Sequence, residues 1–236
     1  MDKDTKVLVE PLQKEDLDTF ITIYWDAFNP LEANMILPMI YPRGLQPDLQ
    51  QRLHNRLRKS LHEDPTGSCF CARESSGGDI VGVSWWSHAE RPAQTKEELE
   101  ARYAEAKENR SGGVEVEGMN HALEDNFFRA AFYSEAETMG AQPYMTLKLL
   151  AVRPEWARKG IGSVLLRHGL ERVDRLNLSA FIHAGVQAKA LYERYGFKAV
   201  SEMPCNALDY GGRSDGLHWC MVRSPQTRGD QASDDG

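Results

Sequence analysis

Two stretches carry residues whose types and spacing suit chemistry. The first runs Leu149-Leu150-Ala151-Val152-Arg153-Pro154-Glu155-Trp156-Ala157-Arg158-Lys159-Gly160-Ile161-Gly162-Ser163-Val164-Leu165-Leu166. An apolar run breaks at Pro154, and a glycine turn then opens an amphipathic period. A helix N-terminus exposes unpaired N–H groups and partial positive charge. Glycines let that backbone approach an anion closely, so such a turn can hold a phosphate or pyrophosphate. Arg158 and Lys159 add positive charge at the same place. A tight strand-to-helix turn with no ligand fits the same residues. The spacing of a P-loop is absent. The dinucleotide fingerprint requires a third glycine where this chain has Leu165, and it sits early in its fold. The second stretch, Leu191-Tyr192-Glu193-Arg194-Tyr195-Gly196-Phe197, ends a short helix at Gly196. Leu191, Tyr195 and Phe197 read as core. Tyr192 offers a phenol, a group that wants a partner.

The elements that must position these residues follow from periodicity. Lys6 to Val9 reads as a strand, and Leu17, Phe20, Ile21, Tyr24, Trp25 and Phe28 recur at helical spacing. Leu31 to Gly44 is apolar without a period and reads as an ordered loop. Pro47 opens a second helix, with Leu49, Leu53, Leu57 and Leu61 at four-residue steps and basic residues between them. Ser68 to Arg73 and Ile80 to His88 form a hairpin around a Ser-Gly turn. Residues 90–142 read as a helical insertion. Its first helix is capped by Thr95 and Glu98 and is solvated. Its second carries an aromatic stripe, Leu123, Phe127, Phe128 and Phe132, which reads as core. Strands at Met145 to Val152, Leu178 to Ala184, Lys198 to Leu208 and Leu217 to Val222 follow, with helices at Ile161 to Leu176 and Ala188 to Tyr195 between them. One domain over residues 1–223 and a disordered polar tail over 224–236 are expected.

Composition narrows the function classes. The chain has 236 residues, a formal charge of −7 and 41% hydrophobic residues, enough for a sizeable core. Nothing suggests the basic face of a nucleic-acid binder. No apolar run approaches the ~18 residues of a membrane span. The charged opening Met1-Asp2-Lys3-Asp4 lacks a signal core, so a cytoplasmic location is expected, with the nucleus not set apart from it. Cys69, Cys71, Cys205 and Cys220 do not have metal-site spacing and read as buried thiols.

Taken together, Val152-x-Pro154 with Arg158-Lys159-Gly160-Ile161-Gly162, and Leu191-Tyr192-x-x-x-Gly196-Phe197, resemble the two signatures of the GNAT superfamily of acyl-CoA N-acyltransferases. The resemblance covers about residues 144–200. It implies an α/β fold with a mixed, mostly antiparallel central sheet, helices on both faces and a splayed parallel strand pair. It implies acetyl-CoA as co-substrate, without a metal. The backbone of Leu150, Ala151 and Val152 would pair with the acyl-pantetheine arm. The amides of Arg158, Lys159, Gly160, Ile161, Gly162 and Ser163 would hold the pyrophosphate. Tyr192 matches the family's general acid. The family often has Gln or Arg where this chain has Ala157, and Asn where it has Gly185. Glu115, Glu117, His121, His183 and His218 are open as general bases, and Trp25, Tyr41, Trp85 and Trp86 as either cleft or core. The implied activity is transfer of an acetyl group to a primary amine, expected to be that of a small molecule, by a monomer or homodimer. A non-catalytic acyl-CoA-binding module and a protein N-acetyltransferase are the alternatives.

Overall fold

A computed structural model describes residues 7–29, 36–62, 67–205, 207–212 and 217–226. In chain order the elements are β1 (Leu8–Pro11), α1 (Leu17–Phe28), α2 (Ile36–Ile40), α3 (Pro47–His62), β2 (Gly67–Arg73), β3 (Ile80–Ala89), α4 (Lys96–Ser111), α5 (His121–Met139), β4 (Tyr144–Val152), α6 (Ile161–Arg175), β5 (Ser179–Gly185), α7 (Val186–Arg194), β6 (Lys198–Glu202) and β7 (His218–Arg223). The strands form one sheet in the order β1-β2-β3-β4-β5-β7-β6. Every pairing is antiparallel except β4 with β5. This is the mixed sheet that the sequence implied.

Helices cover both faces because successive strand residues point to opposite sides. Leu147 and Met145 of β4 pack with Leu166, Leu170 and Val173 of α6. Leu149 and Ala151 of the same strand pack with Phe20 and Ile21 of α1 and Leu53 of α3. On the α6 side, the ring of Trp86 lies where a side chain on Gly169 would be, since a Cβ there would meet Trp86 Cε2 at 2.2 Å. Gly169 is therefore what lets α6 settle on the sheet, and Trp86 is core.

The segment over 90–142 is tied to the rest by a buried charge cluster. Thr95 caps α4 by accepting from the Glu98 amide at 3.1 Å, as its sequence indicates. Glu124 Oε1 of α5 accepts from Arg52 Nη2 of α3 at 2.9 Å and from Arg110 Nε of α4 at 2.6 Å. All three side chains are buried. Three helices thus share one carboxylate.

Two expectations shift. Within the expected loop from Leu31 to Gly44, Ile36–Ile40 is a helical turn with Ile36, Leu37 and Ile40 buried, while residues 30–35 lie outside the described residues. The strand expected to reach Leu208 ends at Glu202. Met203 makes a last bond to the His218 carbonyl at 2.8 Å, Pro204 has no N–H to continue the ladder, and Ala207–Tyr210 turns as a 3-10 helix.

Replacing Glu124 with Gln removes the charge that two buried guanidiniums share. Breaking a buried ion pair on one side typically costs about 3–5 kcal/mol. Glu124→Gln should lower Tm by many degrees in a thermal melt, and an unchanged Tm would show that the cluster does not hold the helices together.

Candidate active site

The site begins with a fault in the sheet. β4 pairs with β5 only over Tyr144, Met145 and Thr146. On its other side, Trp86 of β3 faces Leu147 and Trp85 faces Leu149, so Lys148 is an extra residue with no partner. A bulge of this kind bends its strand and increases twist. Beyond it β4 leaves β5, and the sheet opens into a wedge.

The wedge exposes backbone of known direction. The Arg153 N–H donates to the Val81 carbonyl at 2.9 Å, so Arg153 faces β3. Hydrogen-bonding direction alternates along a strand. Leu149 and Ala151 therefore also face β3, and the N–H and C=O groups of Leu150 and Val152 face the gap. An extended ligand entering there meets an unpaired strand edge. Ala151, expected with Leu150 and Val152 among the cofactor-binding residues, instead turns its backbone to β3 and buries its side chain, so it shapes the wall and offers a ligand no polar group.

The glycine turn closes the end of the wedge. Gly160 is the N-cap of α6, with φ +85. A Cβ there would meet nothing within 4 Å, so the left-handed backbone, and not a lack of room, is what requires glycine. Arg158 is also left-handed, at φ +60. A Cβ on Gly162 would lie in ordinary contact with Leu191, Val152 and Leu150, which places the first turn of α6 beside the end of β4 and beside α7. Ile161 is buried and anchors the helix, leaving its N–H as the group it can offer. Lys159 Nζ sits 4.7 Å above the Trp156 ring. Open strand edge, helix N-terminus and two exposed cations fit a thioester with a pyrophosphate tail.

A cavity of about 1100 Å³ runs from the wedge under the helices. Its floor is Thr146 to Val152, and its walls come from α1, α3, α4, α5 and α7. Phe20, Tyr24 and Phe28 line it from α1, Trp85 from the sheet, and Phe127, Phe128 and Phe132 from α5. The aromatic stripe of α5, read as core, is half-buried and forms cavity wall. The solvated helix α4 turns one face inward through Tyr103, Ala106 and Arg110. Trp25 and Tyr41 are buried in the core behind α1 and α3.

Four titratable groups, Tyr192, His183, Glu135 and Lys148, line the cavity, and the last three stand together. Tyr192 lines it at 4% exposure, and burial raises its pKa, so the phenol keeps its proton. His183 of β5 also lines it, with Nε2 3.0 Å from Ser134 Oγ. The Ser134 hydroxyl donates its one proton to the Ala131 carbonyl at 3.2 Å. With the hydroxyl so turned, its oxygen accepts from His183 Nε2–H and the imidazole lone pair lies on Nδ1. Burial holds the His183 pKa down to about 4, with Glu135 opposing and Lys148 and His218 reinforcing the shift. Glu135 accepts from Thr146 Oγ1 at 2.7 Å and from Lys148 Nζ at 3.0 Å. Burial pushes its pKa up, but Lys148, the Thr146 bond and His183 outweigh this and hold it below the usual value. The bulge residue thus keeps a buried carboxylate charged beside a neutral imidazole. Of the other candidate bases, His218 lines the cavity in edge contact with Phe127. Glu115 and His121 pair with each other at 3.0 Å, and Glu117 pairs with Arg43, all on exposed surface away from the cavity.

Comparison with known proteins agrees with this geometry. Residues 95–207 match the model of the acetyltransferase (GNAT) domain. The match takes in the α6 turn, β5 and α7, and it indicates an acyl-CoA-dependent N-acetyltransferase with acetyl-CoA as co-substrate. Its fold is similar to that of arylalkylamine N-acetyltransferase 2 from Aedes aegypti, at 15% identity and TM-score 0.60 over 94% of this chain and 100% of that one. It is similar to an agmatine N-acetyltransferase mutant, at 13% identity and TM-score 0.62 over 92% and 99%. A Corynebacterium glutamicum protein described as histone acetyltransferase HPA2 and related acetyltransferase gives 20% identity and TM-score 0.55 over 94% and 97%.

Sequence reasoning did not single out Glu135 or Arg56. Glu135 lies four residues beyond Ala131 and eight beyond Phe127, so it continues the inward stripe of α5 as a charge at an apolar position. Arg56 lies three residues after Leu53 on the leucine face of α3.

The His183 environment predicts a pH effect on stability. Its folded pKa is below the ordinary 6.5, so the unfolded chain takes up the proton first. The contribution is complete above about pH 6.5 and is lost as pH falls towards 4. Tm of wild type should fall through that window more steeply than Tm of His183→Gln. Parallel Tm profiles would mean that His183 is not held neutral by its surroundings.

Proposed function

We propose that this acetyltransferase acts on a primary amine of a small molecule, by direct attack on the thioester. The observation that carries the reading is the walled cavity, which meets the open edge of β4 under five helices. Helices border this space on several sides, which favours a compact acceptor over an extended peptide. A volume of about 1100 Å³ exceeds a typical small-ligand pocket, so it has room for a pantetheine arm and a compact acceptor together. A binding module would need neither an uncharged imidazole nor a buried phenol in the cavity.

Each residue has a distinct task. Leu150 and Val152 align the pantetheine arm along β4, and the first turn of α6 takes the pyrophosphate. When bound, acetyl-CoA supplies an activated acetyl group. An alkyl ammonium has a pKa of about 10 and must lose a proton before it can attack. That first proton goes to solvent as the amine enters. The second leaves nitrogen for the neutral His183 imidazole as the C–N bond forms and makes nitrogen strongly acidic, with the Glu135 carboxylate stabilising the imidazolium. A backbone N–H at Leu150 meets the charge that develops on the carbonyl oxygen. As nitrogen bonds to the acetyl carbon, the C–S bond breaks and Tyr192 gives its proton to the sulfur. The products are the acetamide and the CoA thiol, and no covalent enzyme intermediate is needed.

Purified protein with acetyl-CoA and a panel of small amines should release CoA thiol and yield the acetylated amine by mass spectrometry. Transfer only to peptides or protein lysines would overturn the small-molecule reading. In Tyr192→Phe the ring stays and only the hydroxyl is lost. With an active acceptor, kcat should fall about 10²–10⁴-fold while acetyl-CoA affinity holds. Turnover within about twofold of wild type would remove Tyr192 from the mechanism.

A further inference from the structure

Arg56 stands on the wall of the acceptor cavity without a carboxylate partner. Its guanidinium carbon lies 5.2 Å from the centre of the Trp85 ring and 5.8 Å from that of Phe128. All three side chains line the cavity. No ion pair or hydrogen bond to the Arg56 side chain exists among the described residues, although Arg52 and Arg110 nearby both have one. The nearest buried carboxylate, Glu124, is taken by those two. Asp125 is taken by Lys107 at 2.7 Å and the Tyr103 hydroxyl at 3.0 Å. Across the cavity, Glu135 is taken by Thr146 and Lys148. Arg52 and Arg110 thus share one buried carboxylate. Of the two guanidiniums on the cavity wall, Arg110 and Arg56, only Arg56 is left without a carboxylate among the described residues.

Taking a charge out of water without a partner is costly, and a guanidinium does not escape the cost by losing its proton. Aromatic faces recover part of it. The Tyr24 hydroxyl, on the same wall, keeps its proton because burial raises its pKa. A guanidinium and a phenol therefore both offer N–H or O–H donors to an incoming anion, between flat apolar walls.

We propose that the acceptor is an amino-carboxylate with a flat apolar body, its carboxylate held by Arg56 and Tyr24 and its amine directed to His183. The assignment rests on the acetyltransferase reading of this same cavity and names its substrate class. The body lies against Trp85, Phe128 and Phe28. Planar guanidinium geometry suits a two-oxygen carboxylate. A carboxylate on the acyl group of the donor has the same chemistry and would reach the same side chain, so the donor is varied in the test as well.

The test uses full-length protein and matched pairs of amines, phenylalanine with phenethylamine and tryptophan with tryptamine. To these are added 4-(aminomethyl)benzoate with benzylamine, each with acetyl-CoA. At least one carboxylate-bearing member should show kcat/KM about ten- to hundredfold above its neutral partner, the range of a charge-assisted bond. Arg56→Met should abolish that preference mainly through KM, with Arg56→Lys keeping part of it. Tm of each variant, measured on the same preparation, separates lost recognition from lost folding. Binding of unreactive 3-phenylpropionate by calorimetry gives a second readout that needs no turnover. It should bind wild type, and Arg56→Met should weaken it at least about tenfold.

Neutral amines preferred by wild type would overturn this inference while leaving the acetyltransferase reading intact. So would a carboxylate preference that survives in folded Arg56→Met, or no binding of 3-phenylpropionate. Succinyl-CoA outrunning acetyl-CoA with neutral amines, in an Arg56-dependent way, would move the carboxylate to the donor and overturn the acceptor assignment. Failure of acetyl-CoA itself to bind would be a failure of the underlying reading, recognisable because it precedes any acceptor.

Discussion

The single extra residue in β4 is the constraint on which the site depends. With Lys148 unpaired between Leu147 and Leu149, the strand bends and cannot stay in register with β5 past Thr146. A sheet interior with unmet N–H and C=O groups is unstable unless something else pairs them. The open edge at Leu150 and Val152 is thus, by virtue of its missing bonds, where the proposed function seats the pantetheine arm. The same residue does a second job, because its ammonium holds Glu135 ionised against burial. Backbone geometry and proton chemistry are set by one position.

The two sides of the sheet divide the work. On the α6 side the packing is apolar and close, with Trp86 pressed against Gly169 and Leu147 among the leucines of α6. This side fixes where the first turn of α6 stands relative to Val152. On the other side α1 packs on the strands as well, but α4 and α5 border the cavity, and charges occupy positions there that a sealed core would give to leucine. Arg52, Glu124 and Arg110 lock α3, α4 and α5 together there. The same three helices border the cavity.

Most of the sheet and the α6 turn were legible in the sequence, because each rests on local signals. Pro154, Gly160 and Gly162 mark the break and the turn, and alternation of apolar residues marks the strands. Tyr192 was legible through its place before Gly196 and Phe197. The bulge was not, since no residue in Met145 to Val152 departs from strand composition, and its register is decided by pairing with β3. The inward faces of α4 and α5 were misweighed for a related reason. An aromatic stripe looks alike whether it meets a core or a cavity, so Phe127, Phe128 and Phe132 read as core. Arg56 and Glu135 stood at positions where helical periodicity predicts apolar residues. A charge on an apolar face was the available signal, and its meaning required knowing that the space beyond it is open. Separating His183 and His218, which line the cavity, from Glu115, Glu117 and His121, which do not, needed the fold.

Amide hydrogen exchange with and without acetyl-CoA tests the role of the opened edge most directly. Any peptide that reports Leu150 and Val152 should gain protection on binding, as should the amides of Gly160, Ile161, Gly162 and Ser163. The amides of Leu149 and Ala151, already paired to β3, should change little. Binding of acetyl-CoA with no added protection at Leu150, Val152 or the first turn of α6 would contradict the account, because the ligand would then lie somewhere other than in the wedge that the Lys148 bulge creates.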